Sequence, residues 1–219
     1  MVDAAVVAAN LAQIRELVGP GVEILAATKY VEPADLPALH EAGITLVGEN
    51  RTDALAAKQA EFGELFTWDF IGHVQSRKVR DLVGRVRLIH AVDSHSACEQ
   101  IETRREPGAT IDCLLQVNVA GEDTKAGVAP AEVDAFLEAA APFAGVRFCG
   151  LMTMPPAIAD PELARPWFAA LREARDRLAP RWAGRHEFTQ LSMGTSQDFA
   201  VAAQEGATIV RVGGVLYGR

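Results

Sequence analysis

Short apolar runs alternate with longer stretches in which apolar residues recur every three or four positions. This alternation governs the chain from Val22 onward. Ahead of it, residues 2–18 read as an amphipathic helix with Val6, Ala9, Ile14, Leu17 and Val18 on one face, stopped by Gly19, Pro20 and Gly21. The apolar runs then fall at 22–28, 45–48, 68–71, 86–91, 111–119, 146–151, 188–191 and 208–212. They have the length and continuity of strands covered on both faces. Helical spacing fills stretches between them, among these 52–62, 131–140 and 162–178.

Eight strand-then-helix units in 219 residues average about 27 residues each, close to the ~30 of a βαβ repeat. No linker or shift of composition interrupts them, so residues 1–219 read as a single domain. Eight strict alternations favour a closed (β/α)8 barrel, with an extra N-terminal helix, over an open doubly wound sheet. One miscounted strand would restore the open sheet.

Composition narrows the function. With 49% hydrophobic and 23% charged residues the chain can bury a sizeable core. Cys98, Cys113 and Cys149 are odd in number and form no CxxC pair, which favours neither a disulfide framework nor a cysteine zinc site and fits a reducing cytoplasm. The N-terminus lacks a basic region before its apolar stretch, and no window reaches the ~18 uninterrupted apolar residues of a membrane span, so no membrane role is expected. A net charge of −8 repels phosphate backbones and argues against nucleic acid. A small anion held by local donors stays open.

In such a barrel the chemistry sits where strands end. Lys29 follows the first run, Glu49 and Asn50 the second, Gly72 and His73 the third, His90 and Asp93 the fourth. Asn118 closes the fifth, Met152 and Thr153 the sixth, Ser192 to Ser196 the seventh, and Arg211, Gly213 and Gly214 the eighth. An amine leaving an apolar strand is partly desolvated, its pKa falls, and the neutral form attacks carbonyls. Equally, Lys29 could extend from the strand end into water. LSMGTSQDF offers hydroxyls, a glycine and a helix start after Ser196, and VRVGGVLYG offers backbone N–H groups beside two glycines. Both suit phosphate, which barrels often place after strands seven and eight, although Ser196 could simply cap a helix and the glycines make a turn. Period-2 alternation turns Arg211 and Gly213 toward the interior, against the alternative of a surface salt bridge for Arg211. Together with Lys29, these loops point to a phosphate ligand carrying an aldehyde.

Eight ordered stretches carry a resemblance: AATKY at 26–30, VGEN at 47–50, WDFIGHVQSRK at 68–78, HAVDS at 90–94, QVNVAGEDTKAGV at 116–128, GLMTMP at 150–155, LSMGTSQD at 191–198 and GATIVRVGGVLYG at 206–218. In these the chain resembles the pyridoxal-phosphate homeostasis protein family, of the proline synthetase co-transcribed type, single-domain relatives of the alanine racemase barrel. The resemblance implies a (β/α)8 barrel of the pyridoxal-phosphate fold type III kind, holding pyridoxal 5′-phosphate with Lys29 as its Schiff-base lysine. It implies phosphate contacts at Ser192, Gly194, Ser196, Gly213 and Gly214, with Arg211 at the pyridine nitrogen and Asn50 near the ring. Lys125 matches a family lysine and also reads as a solvated loop residue. Relatives commonly carry threonine in place of Gly214, which removes a hydroxyl contact here. They carry methionine where Thr195 could restore one, and asparagine in place of Arg77.

An arginine at the ring nitrogen disfavours its protonation, so the ring is a weaker electron sink. Racemisation also needs a second acid/base, which in the racemases is a tyrosine from an added domain of a partner subunit. This sequence runs seven residues past Val212 and contains two tyrosines, Tyr30 and Tyr217, so no such group is expected. The resemblance thus implies a non-catalytic carrier or regulator in vitamin B6 and amino-acid homeostasis, with pyridoxal-phosphate-dependent apo-enzymes as candidate recipients, and a monomer is the expected state. The competing readings are a weak pyridoxal-phosphate-dependent amino-acid racemase, a Schiff-base aldolase, and a metal-dependent barrel using His90, Asp93 and His95.

Overall fold

The computed structural model describes residues 2–122 and 126–218. The chain opens with α1 (Ala4–Val18), β1 (Glu23–Ala27), α2 (Leu36–Glu41), β2 (Leu46–Glu49), α3 (Thr52–Phe62), β3 (Thr67–Phe70), β4 (Leu88–Val92) and α4 (His95–Arg104). It continues with β5 (Ile111–Gln116), α5 (Val133–Ala140), β6 (Val146–Met152), α6 (Arg165–Arg181), β7 (Gln190–Ser192), α7 (Phe199–Gln204), β8 (Ile209–Val212) and α8 (Gly214–Tyr217). All eight strands pair in parallel and in chain order into a closed barrel. Closure is made by β8 on β1, with Ile24 opposite Val210 and Ala26 opposite Val212. β2, β4 and β8 are buried along their whole length, as strands walled by side chains within and helices without must be.

Two elements depart from the sequence pattern. Between β3 and β4 the crossover is a 3-10 turn, Ser76–Asp81, rather than an α-helix. The fifth run ends as a strand at Gln116, two residues short of Asn118.

The N-terminal helix starts on Asp3, whose carboxylate accepts the Ala5 and Val6 N–H groups, and ends at Gly19, whose positive φ of 77° suits a residue without a side chain. Its buried face is Val7, Leu11, Ile14 and Val18. This corrects the expected face: Val6 and Leu17 are 42% and 59% exposed. Apolar residues surround much of α1, so spacing permits more than one stripe. Packing on α2, α7 and α8 selects one, with Asn10 donating to the Leu216 carbonyl at 3.2 Å. The helix thereby braces the β8–β1 seam from outside.

A candidate ligand site at the barrel mouth

Lys29 lies in a tight turn directly after β1. The Val31 N–H donates to the Thr28 carbonyl at 2.9 Å, which leaves Lys29 and Tyr30 as the turn's two corners. The amine sits 4.9 Å from the centre of the Tyr30 ring. Lys29 is exposed, which corrects the expected partial desolvation: a corner of a turn projects past the apolar strand instead of continuing it.

Around the rim, Asn50 follows β2 and is also exposed, with its backbone N–H donating to Glu49 Oε2 at 3.0 Å. Gly72 backs it so closely that a Cβ there would stand 2.2 Å from the Asn50 carbonyl oxygen. The β7 loop turns at Gly194, where φ is +90° and a Cβ would meet that of Ala202 at 2.6 Å, so the loop lies flat on α7. Thr195 donates its N–H and its hydroxyl to Asp198 Oδ1, at 2.6 and 3.1 Å.

Beside this loop, Ser196 Oγ accepts the Gly213 N–H at 3.0 Å and, over a longer 3.5 Å, the Val215 N–H. Gly213 rests on the end of β1, its Cβ position 3.6 Å from the Ala27 carbonyl oxygen, and the Tyr217 hydroxyl donates to that same oxygen at 3.0 Å. Two backbone donors and one hydroxyl therefore converge on the seam from which Lys29 emerges.

Arg211 points into the barrel and is 6% exposed. Its Nη1 donates to the Ser192 carbonyl at 2.9 Å and to Ser192 Oγ, and its Nη2 to the Thr153 carbonyl at 2.9 Å. Burial pushes its pKa down to about 10, so it stays a cation at neutral pH. Its hydrogen bonds among the described residues go to neutral acceptors, and the Asp198 carboxylate acts on it through space, partly opposing the effect of burial. A buried charge held only by neutral acceptors favours an anion beside it.

Ser192 departs from the role expected of it. As the last residue of β7 it turns inward, is fully buried, and its hydroxyl meets His90 Nδ1 at 2.9 Å as well as Arg211. His90 Nε2 meets Asp69 Oδ2 at 3.0 Å, and Arg87 donates to both Asp69 oxygens, at 2.9 and 2.7 Å, and to Glu23 at 2.7 Å. Arginine can only donate, so Ser192 accepts from Arg211 and gives its proton to His90 Nδ1, and the ring's remaining N–H goes to Asp69. Burial, only partly opposed by Asp69, lowers the His90 pKa and keeps the ring neutral. Burial works against the Asp69 carboxylate, yet donation from His90 and Arg87 holds its pKa below the usual value. The order Asp, His, Ser matches that of a serine-hydrolase triad, but here the hydroxyl is sealed from solvent and Arg211 takes its lone pair. This ladder fixes Arg211 in place.

A second buried cluster lies under Lys29. Lys58 donates to Glu49 Oε1 and, at 2.7 Å, to the Thr28 carbonyl, and the Thr28 hydroxyl donates to Glu49 Oε1 at 3.0 Å. Sequence reasoning missed both clusters. A usable signal existed: Thr52, Leu55 and Lys58 share one helix stripe, and Asp69 and His90 interrupt apolar strands.

The three residues of the metal-dependent alternative do not come together. His90 is engaged as above, His95 stacks on Phe136 and meets its carbonyl at 3.1 Å, and Asp93 accepts the Gly127 N–H at 3.1 Å. Among the described residues no three or more His, Cys, Asp or Glu side chains are placed to hold a metal ion. No helix among them is long and apolar enough to cross a membrane. Arg77 donates to the Gln75 side-chain oxygen at 3.2 Å. Lys125 lies outside the described residues.

Comparison with known proteins gives concordant results. The family model of the alanine racemase N-terminal domain matches residues 2–219. A protein of Aquifex aeolicus (strain VF5) named pyridoxal phosphate homeostasis protein is 39% identical over 198 residues, 90% of this chain and 86% of that one. The structure of PipY from Synechococcus elongatus PCC7942 without PLP superposes with a TM-score of 0.88 at 34% identity, over 97% of this chain and all of that one. The same protein with PLP bound superposes with a TM-score of 0.86 at 33% identity and the same coverage.

Proposed function

The chain belongs to the pyridoxal phosphate homeostasis proteins, within the alanine racemase N-terminal domain family, and from that premise we propose that it takes up pyridoxal 5′-phosphate on Lys29 and acts in the homeostasis of this cofactor and of amino acids, without strong catalysis. The observation that carries this reading is the β8–β1 seam, where an exposed primary amine and the Ser196 hydroxyl, held by the Gly213 and Val215 N–H groups, share one rim.

The donor set fits the ligand. The Ser196 hydroxyl, whose oxygen accepts the Gly213 and Val215 N–H groups, would donate its proton to the phosphate, and Gly194 and Gly214 would let the loops approach it. Arg211 would face the ring nitrogen and Asn50 would lie beside the ring. When bound, the cofactor supplies an aldehyde carbon that condenses reversibly with a primary amine, releasing one water. Lys29 supplies that amine. Ser192 and Thr153 orient Arg211, which can donate but not accept a hydrogen bond, so a nitrogen facing it would stay unprotonated and electron withdrawal would be weak. The Tyr217 hydroxyl is engaged by Ala27, and Tyr30 lies against the Lys29 amine itself. This supports binding over proton transfer at a substrate carbon.

Three unpaired, buried cysteines suit a reducing cytoplasm, where dependent apo-enzymes would be the recipients. The test is a visible-absorbance titration of the protein and of Lys29→Ala with the cofactor, beside a solvent-exchange assay of the amino-acid α-hydrogen. A lysine-dependent absorbance change without exchange is the expected result. Absence of that change refutes the ligand, and Lys29-dependent exchange refutes the non-catalytic role in favour of a weak racemase.

A further inference from the structure

We infer that the buried ion pair Lys58–Glu49 is a positioning clamp for the amine-bearing turn and for Asn50, and that it sets the rate at which Lys29 captures the aldehyde; the inference rests on the function proposed above. The pair joins two strand ends at once. Lys58 donates to the carbonyl of Thr28, the peptide group immediately before Lys29, and that oxygen also closes the turn by accepting the Val31 N–H. Glu49 uses Oε1 for Lys58 and the Thr28 hydroxyl, and Oε2 for the Asn50 N–H. Thr28 adds a bond of 2.9 Å from its own N–H to the Gly48 carbonyl and one of 3.2 Å from its hydroxyl. One carboxylate and one ammonium therefore hold the backbone on both sides of the mouth, at Lys29 and at Asn50.

Burial makes this arrangement costly unless it serves placement. Thr28 and Glu49 are fully buried and Lys58 is 4% exposed. Ion pairs sealed from water are close to neutral for stability when compared with apolar packing, and their best-attested use is to specify one geometry. Here that geometry is the direction of a turn whose corner residue is exposed. Capture requires the amine to approach the aldehyde carbon along a narrow path, and a displacement of about 1 Å can cost ~100-fold in rate. Both clamp residues are buried beneath the mouth rather than exposed in it. They act through Lys29 and Asn50.

The experiment compares the unaltered protein with the doubly neutral variant Glu49→Gln/Lys58→Met, with Lys58→Arg, and with Thr28→Val, which keeps both charges paired. Stopped-flow absorbance gives the rate of covalent capture of pyridoxal 5′-phosphate. Equilibrium binding of pyridoxine 5′-phosphate, which has the ring and phosphate but an alcohol in place of the aldehyde, reports the site without the amine. The double variant is expected to capture about 10- to 100-fold more slowly while its affinity for the alcohol changes less than about threefold. Lys58→Arg, which keeps donors for both acceptors, should restore most of the rate. Thr28→Val should slow capture by about threefold and supplies the reading should the double variant not fold. An unchanged capture rate overturns the inference, as does an equal loss for aldehyde and alcohol, the mark of general disruption. Failure of the unaltered protein to capture the aldehyde would overturn the proposed function together with this inference, whereas the former outcomes leave the proposed function standing.

Discussion

Replacing Ser196 by alanine isolates the phosphate part of the site. Its Oγ accepts the Gly213 and Val215 N–H groups at 3.0 and 3.5 Å, which leaves the hydroxyl proton to donate to a ligand oxygen. A hydrogen bond to a charged acceptor is worth about 1.5–3 kcal/mol, and every 1.4 kcal/mol is about tenfold in affinity. Ser196→Ala should therefore raise the Kd for pyridoxal 5′-phosphate by about 10- to 100-fold. Pyridoxal, which has no phosphate, presents nothing to that hydroxyl and should bind within about twofold of its original affinity. The fold should survive, because Ser196, Gly213 and Val215 are only partly buried and water can replace the lost acceptor, at a cost of about 0.5–1.5 kcal/mol. At this chain length that is a few degrees in Tm. Absorbance titrations with the two aldehydes at fixed pH and ionic strength decide the matter. Equal losses for both, or an undiminished phosphate affinity, would refute the assignment of this corner.

Three further outcomes follow from the geometry. Gly72→Ala places a Cβ 2.2 Å from the Asn50 carbonyl oxygen, so the variant should lose about 1–3 kcal/mol of stability by overpacking and bind the cofactor more weakly; an unchanged urea midpoint contradicts this. Ser192→Ala removes the donor to His90 Nδ1 inside the barrel and should cost about 1–3 kcal/mol, yet keep the preference for phosphorylated over unphosphorylated ligand, because Ser192 holds Arg211 and not the anion; loss of that preference would return it to the phosphate. His186, whose Nδ1 accepts the Phe148 N–H at 3.3 Å, is lowered from 6.5 to about 4 by burial and the nearby Arg185. The unfolded chain binds this proton first, so the contribution is complete above the unfolded value and is lost as pH falls through the window from 6.5 to about 4. It amounts to about 3 kcal/mol by linkage. Urea unfolding at about pH 7 and about pH 4.5 should lose less stability in His186→Gln than in the unaltered protein.

The apolar runs carry the barrel because a parallel strand walled on both faces must be continuous in apolar residues, and a count of eight such runs implies closure. β1 and β8 could be drawn from that rule alone, and their adjacency follows once the sheet closes. Position along a strand was readable to within a residue or two, so Lys29, Asn50 and the glycine loops were found at the rim. Which way a residue faces at a strand end was not. Ser192 is the last residue of β7 and turns inward, whereas Ser196, four positions later, reaches the loop that follows β8. Spacing alone does not select the stripe of α1, because apolar residues surround most of that helix and tertiary contact chooses among them. The Thr28–Glu49–Lys58 and Asp69–His90–Ser192–Arg211 clusters join residues from strands and a helix far apart in the chain. No local pattern encodes such pairings, and only a charged residue on an apolar stripe hints at them.

Reductive trapping tests the central claim most directly. The protein is incubated with pyridoxal 5′-phosphate and treated with borohydride, whose hydride makes the lysine linkage permanent, and the added mass is located by peptide mapping. The account predicts one dominant modified lysine, Lys29, and loss of that mass in Lys29→Ala. Modification distributed over other lysines, or persisting undiminished at another residue in Lys29→Ala, would contradict it.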